Sequence, residues 1–333
     1  MTATDSSSAT YSHVPTETSF DRLPVLDNSF ADIDWQAPWL THLSSLNYLR
    51  EAVSHLSSSN EQKLFIESEV PSVDIIADLL NNALNLPCKN LQSALPTTKP
   101  TQDNLAHPLT FVSQNALPEG EAYEHFIATT GNIPTRDNLH DLFNGSIWLT
   151  FPKTKALFNY YHMREIAAQG INESRGRVRD TITIFDENGA VLVTADPSIG
   201  DALIDFNWQD SLVTSRAKWD DPKQINREAQ AAVYIFGHAL LEQLVQPRKP
   251  LCAHSIVIHV TQDFFDLSLS ERMRYLDNQM ANYMDKLLSK DTVTPRQLAP
   301  LPILGVPHFW LENEQTSFYD DSYVFRSGRR KRN

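Results

Sequence analysis

Three histidines of this chain, His140, His162 and His238, each have a carboxylate within the next four residues: Asp141, Glu165 and Glu242. Imidazole is the side chain whose ordinary pKa lies nearest neutrality, and a carboxylate partner both orients it and raises its basicity. General-base chemistry and metal ligation both use that pairing. The densest case is RDNLHDLFNGSIWLTFPKTK, residues 136–155. Wound as a helix, it places Leu139, Leu142, Phe143, Ile147 and Phe151 on a packing face, with Asp137, His140, Asp141 and Asn144 on an adjoining stripe. A following helix repeats the pattern, with Lys155, Asn159 and His162 leading to Glu165 or Ile166 beside Leu157, Tyr160 and Tyr161. The short link at Phe151 and Pro152 makes the two helices neighbours, so their polar stripes converge on one cleft holding His140, Asp141 and His162. Each pairing also has a structural use, as a helix cap with a surface pair or as a hydrogen-bonded core histidine. On sequence grounds that use is the commoner.

His238 and Glu242 lie at i and i+4 in FGHALLEQL. Helical di-metal sites use Glu-x-x-His, and this order is reversed. No metal-ligand set is therefore assigned, and cofactors are left unknown. In RGRVRDTITIFDENG, a strand would turn Arg175, Arg177 and Arg179 to one face, where they could hold an anion bidentately or pair with the chain's many acids. Asp180 would face the other side, toward His162 or an arginine. Phosphate-binding glycine loops, Gly-x-Gly-x-x-Gly, Gly-x-Ser-x-Gly and Cys-x-x-Cys are all missing, which argues against P-loop, Rossmann and α/β-hydrolase chemistry.

The elements that would carry these residues read as follows. Ser and Thr dominate residues 1–19, an expected disordered tail. Trp39, Leu43, Leu46, Leu49, Val53 and Leu56 repeat at helical spacing, LFI (64–66) suits a short strand, and PSVDIIADLLNNAL a helix capped by Ser72. The Pro- and Thr-rich stretch at 95–108 divides an acidic helical region, 20–108, from a core α+β domain, 109–327. Within that core, GEAYEHFIATTG predicts a helix ending at Gly131, and PKTKALFNYYHMREIAAQG one that starts at Pro152 and closes at Gly170. TITIF and AVLVT around DENG predict a β-hairpin with Asn188-Gly189 in a type I′ turn. IGDALIDFNW and NREAQAAVYIFGHALLEQL read as helical, AHSIVIHVTQ as a strand, and LSLSERMRYLDNQMANYMDKLLSK as a long helix. The proline-rich remainder should wrap over the core as an extended segment, anchored by Phe318, Tyr319 and Phe325. The expected fold is thus α+β, mostly helical, with a small antiparallel hairpin or sheet.

Composition bounds the function classes. The 333 residues are 41% hydrophobic and 21% charged, ordinary globular usage, and carry a formal charge of −13. Residues 1–110 hold 13 acidic and 5 basic residues, a net of −8, whereas the tail 328–333, GRRKRN, holds four basic ones. Attraction of the whole surface to nucleic acid or anionic lipid is unsupported; only the basic tail offers a polyanion contact. Cys88 and Cys252 have no metal-type spacing and read as reduced, buried residues. No apolar run of about 18 residues is present and the N-terminus lacks a basic and apolar leader pattern, so a cytoplasmic protein is expected.

RDNLHDLFNGSIWLTFPKTKALFNYYH, RGRVRDTITIFDENGAVL, FGHALLEQLVQPRKP and LPILGVPHFW followed by FYDDSYVFR together resemble the bacterial family of domain of unknown function 3025 (DUF3025), over about residues 110 to 327. The family brings no activity. The resemblance implies a bacterial protein, with Asn138, His140, Asp141, Asn144, Pro152, Lys155, Asn159, His162, Arg179, Asp180, Asp186 and Glu187 on its pattern positions. His308 stands where the pattern more usually has a glycine after the proline. Two functions are compatible with these residues. One is a binding or adaptor protein whose polar centre is structural. The other is an enzyme, such as a hydrolase, acting on an anionic small molecule, with His140, Asp141, His162 and Asp180 in catalysis and Asn144, Lys155, Asn159, Arg177 and Arg179 holding the ligand.

Overall fold

A computed structural model describes residues 28–43, 46, 49–51, 53, 74–85, 108–169, 176–224 and 226–328. Its regular elements run α1 (Ile75–Leu84), β1 (Thr110–Ser113), α2 (Tyr123–Thr130), β2 (Asn132–Thr135), α3 (Leu139–Thr150), α4 (Pro152–Gln169), α5 (Arg177–Asn188), β3 (Gly189–Thr194), α6 (Pro197–Ile204), β4 (Ala231–Ile235), α7 (His238–Gln243), β5 (Cys252–His259), α8 (Leu269–Leu288) and β6 (Ala299–Pro302). The fold is α+β. Four strands form a mixed sheet in the order β4-β3-β5-β6, with β3 parallel to β5 and antiparallel to β4, and β5 antiparallel to β6. β1 and β2 pair in parallel as a separate two-stranded ribbon.

All six residues of β3 are buried, as are all five of β4. Such strands read as continuous apolar runs because both faces are covered. Phe151, Phe158, Phe185 and Phe236 stack against one another at ring-centroid distances of 5.2 to 6.0 Å and lock α4, α5 and the end of β4 together. The described N-terminal residues join the same buried cluster, from Phe30 through Leu46, Leu49 and Val53 to Ala83. Trp39 falls in a 3-10 turn, Pro38–Leu40, so regular helix begins later than the spacing predicts. Residues 1–19, LFI, Ser72, most of 95–108, Cys88 and the arginine-rich end lie outside the described residues.

Several expectations hold. Gly131 closes α2 with φ of 73°, the left-handed conformation that lets its N–H reach the Ile127 carbonyl. α3 also forms, although its cap is Asn138 rather than the neighbouring Asp137, His140 or Asp141: the Asn138 side chain accepts from the Asp141 N–H at 2.8 Å. β5 and the long helix α8 lie where the sequence places them, and α8 opens with a Ser268/Glu271 capping box. The C-terminal stretch makes edge strand β6, where prolines are tolerated, and then short turns. Phe325 is buried there and the Tyr319 hydroxyl donates to the Gly305 carbonyl at 2.8 Å.

The predicted hairpin is not formed. Residues 177–188 are helical, and the chain passes from α5 into β3 with no reversal at Asn188-Gly189. TITIF alternates, yet Val178, Ile182 and Phe185 also satisfy helical spacing, and packing of that face outweighs β propensity. Thr181 accommodates the helix by donating to the Arg177 carbonyl at 2.8 Å. Arg177, Arg179 and Asp180 consequently lie on a helix rather than a strand, and Arg175 falls outside the described residues. NREAQAAVYIFGHALLEQL is likewise divided, into β4 and α7. Cys252 is exposed at the first position of β5, at the strand's end and outside its buried run. His308 has φ of 67°, the conformation a glycine would adopt without strain.

Candidate functional site

The two polar stripes do converge. His140, Asp141 and Asn144 of α3 and Lys155, Asn159 and His162 of α4 line one cavity of about 460 Å³. Its other walls include Tyr123 and Glu124 of α2, Arg136, Trp148 of α3, Asp186 and Glu187 at the end of α5, and His238 at the start of α7.

At the centre sits Lys155, only 5% exposed. Its ammonium donates to Asp186 at 2.7 and 2.9 Å and to Asn144 Oδ1 at 3.0 Å, and lies 5.4 Å from the centre of the Trp148 ring. Burial pushes the Asp186 carboxyl up, but Lys155 and then His238 outweigh it and hold the group below its ordinary value. Asn144 donates in turn to the Tyr123 hydroxyl at 3.2 Å. Burial, followed by the charge of Glu124, raises the Tyr123 phenol far above its usual range, so it stays protonated.

His162 is buried on a second wall. Its Nε2 lies 3.9 Å from Glu124 Oε1 and its Nδ1 has no hydrogen-bond partner. Burial lowers its pKa despite Glu124 and Asp186, leaving a neutral imidazole at pH 7. Asn159 donates to the Glu124 carbonyl at 2.8 Å and to its carboxylate at 3.0 Å, fixing that acid beside His162.

The third wall holds two imidazoles edge to face, with His238 Nε2 3.0 Å from His140 Nε2. Glu187 Oε2 lies 3.4 Å from the same His238 nitrogen. Glu242 Oε2 lies 3.0 Å from His140 Nδ1. Glycines permit this approach. A Cβ on Gly237 would stand 2.4 Å from the Gly189 nitrogen and 2.5 Å from the Glu187 carbonyl oxygen, so only glycine lets α7 begin against the end of α5.

Other expected partnerships are replaced. Asp141 contacts neither histidine: it accepts from the Arg136 main chain at 2.7 Å and, bidentately, from its guanidinium at 2.9 Å. Glu165 pairs with Arg164, and Glu242 serves His140 rather than His238. Arg177 is exposed and, with Arg179 and Asp180, is not among the cavity-lining residues. Glu124, Tyr123 and Arg136 escaped sequence reasoning because nothing in their spacing links them to either stripe. Asp186 and Glu187 carried a signal that the hairpin reading hid: two acids in the last turn of a helix oppose the macrodipole and need cationic neighbours.

Four elements presenting three histidines, a buried lysine and paired carboxylates to one hollow define an α+β protein with a polar, small-molecule-sized cavity. The chain belongs to the family described as Protein of unknown function (DUF3025), whose model matches residues 109–329. No curated protein and no solved structure matches it. No described helix is long and apolar enough to cross a membrane.

Proposed function

We propose that the cavity is the active site of an enzyme acting on a small polar molecule, with hydrolysis as the reaction class and His162 as general base. One observation carries this reading. Among the described residues, four buried side-chain polar atoms lack a partner, and three belong to cavity residues: Trp148 Nε1, His162 Nδ1 and His238 Nδ1. A purely structural network satisfies its own buried donors and acceptors, whereas a site leaves them for a ligand or water. The Tyr123 hydroxyl supplies a donor for an anionic or carbonyl oxygen beside the positive charge of Lys155, and the neutral His162 beside Glu124 can accept a proton.

A non-catalytic binding or adaptor role is the second reading, favoured by the net −8 of residues 1–110 against the four basic residues of the tail. Bacterial origin and a cytoplasmic setting belong to the same proposal, supported by the family resemblance and by the ordinary cysteine usage.

The test is a thermal-shift screen of the full chain against small carboxylates, amides and phosphate esters, repeated with His162→Gln. Under the enzyme reading the variant melts within a few degrees of the parent and loses at least tenfold in affinity or turnover for any compound found. Under the structural reading no compound shifts the parent. The substitution alone then costs about 1 to 3 kcal/mol, or roughly 3 to 10 °C in a domain of this size.

A further inference from the structure

We infer that His140, His238 and Glu187 form a binding site for one divalent transition-metal ion of the zinc type, with Glu242 as the outer carboxylate that orients His140. The three ligand atoms lie within 4.8 Å of one another. Two donors each about 2.1 Å from a common ion stand about 3.0 Å apart at a right angle and about 3.4 Å apart at the tetrahedral angle. The observed edges are 3.0 Å between the two Nε2 atoms and 3.4 Å from His238 Nε2 to Glu187 Oε2. Glu187, with 35% of its side chain exposed, has the rotamer freedom to close the remaining edge.

Proton bookkeeping points the same way. An ionised carboxylate only accepts, so in a neutral His140 the contact from Nδ1 to Glu242 puts the proton on Nδ1 and turns an Nε2 lone pair toward His238. Without an ion, His238 must donate from Nε2 to fill the gap, which leaves its Nδ1 a bare acceptor. That atom is buried and partnerless. A cation between the rings lets both Nε2 atoms present lone pairs, and the His238 proton moves to Nδ1. The carboxylate, histidine and metal then line up as outer-shell partners do in metal sites generally. Two imidazoles and one carboxylate leave positions for water or a ligand, the mark of a reactive rather than a structural centre.

The inference concerns the same cavity and rests on the enzyme reading only for any catalytic consequence; the ion itself is tested without turnover. Full-length protein stripped with chelator is titrated with Zn²⁺ by calorimetry, and with Co²⁺ by visible absorption. One site per chain is expected, weakened at least a hundredfold by Glu187→Gln and by His140→Gln, and about tenfold by Glu242→Gln. Asp220→Asn, at a residue outside the cavity's lining, should leave it unchanged. Glu187→Gln is the decisive variant because its partly exposed side chain is not needed to fill the core. Absence of binding by the folded parent, or binding unchanged in both Glu187→Gln and His140→Gln, overturns the inference. Loss of the ion's site in these variants while His162→Gln still binds zinc, but no small molecule, separates the metal question from the general-base question.

Discussion

Lys155 and Asp186 are the pair on which the cavity turns. A buried ammonium is tolerated only with its charge compensated, and removing one member leaves the other desolvated and alone. Lys155→Met is therefore expected to cost about 3 kcal/mol, and the double variant with Asp186→Asn to recover part of that. Urea midpoints of the two singles and the double measure the coupling; additive losses would mean the contact is incidental. The same substitution should weaken any ligand found in the thermal-shift screen, because Lys155 is the cavity's buried cation. His162 differs from it. Its partners are a carboxylate at 3.9 Å and an unfilled Nδ1, so its loss should register in ligand handling more than in stability.

At the level of elements, the site depends on how helix ends are held. The first turn of α4 is capped from outside by Asp277 of α8, which accepts from the Lys153 N–H at 3.0 Å and from the Thr154 N–H and hydroxyl at 2.9 Å each. Pro152 at the helix start supplies no N–H of its own, so these are the orphan donors that matter. Asp277→Ala should cost about 2 kcal/mol, and Asp277→Asn less because an acceptor remains. Chemical denaturation ranks them. Gly237→Ala tests the opposite junction: a Cβ there must push α7 from α5, lowering the melting temperature and separating His238 from Glu187. A variant that melts normally and keeps zinc affinity would show that the close approach is dispensable.

For the molecule as a whole, two buried titratable groups act in opposite senses. His42 donates from Nε2 to the Ile235 carbonyl at 2.7 Å, and burial lowers its pKa from 6.5 to about 4. Between those values the unfolded chain binds a proton that the folded chain refuses. Its contribution is present above pH 6.5 and is lost as pH falls toward 4, by about 1.4 kcal/mol per unit. Burial raises Asp277 from 3.8 to about 6, so there the folded chain takes up the proton first and stability rises as pH falls through the same window. Asp277 therefore offsets part of the loss that His42 causes over this window. His42→Gln keeps an N–H for the Ile235 carbonyl but cannot titrate. The stability of wild type minus that of His42→Gln should fall by about 3 kcal/mol between pH 6.5 and 4. A flat difference would place His42 in contact with water.

How much of this was legible in the chain follows from range. α2, α3, α4 and α8 could be read because their caps, glycine stops and apolar spacing are local signals, and the His140, Lys155 and His162 stripes followed from helical geometry across one short link. TITIFDENG was misread because its alternation fits a strand and a helix face equally well; the phenylalanine cluster joining α4, α5 and β4 selects the helix, and that cluster exists only after folding. The same holds for partners. Sequence neighbours suggested Asp141 for His140 and Glu242 for His238, whereas the folded chain gives Asp141 to Arg136, Glu242 to His140, and Glu187 to His238. Residue types and their faces are fixed by periodicity along the backbone. Which carboxylate meets which imidazole depends on how α3, α5 and α7 pack, and that is decided by contacts between elements far apart in the chain, such as Gly237 against Glu187 and Gly189 and the buried phenylalanines against one another.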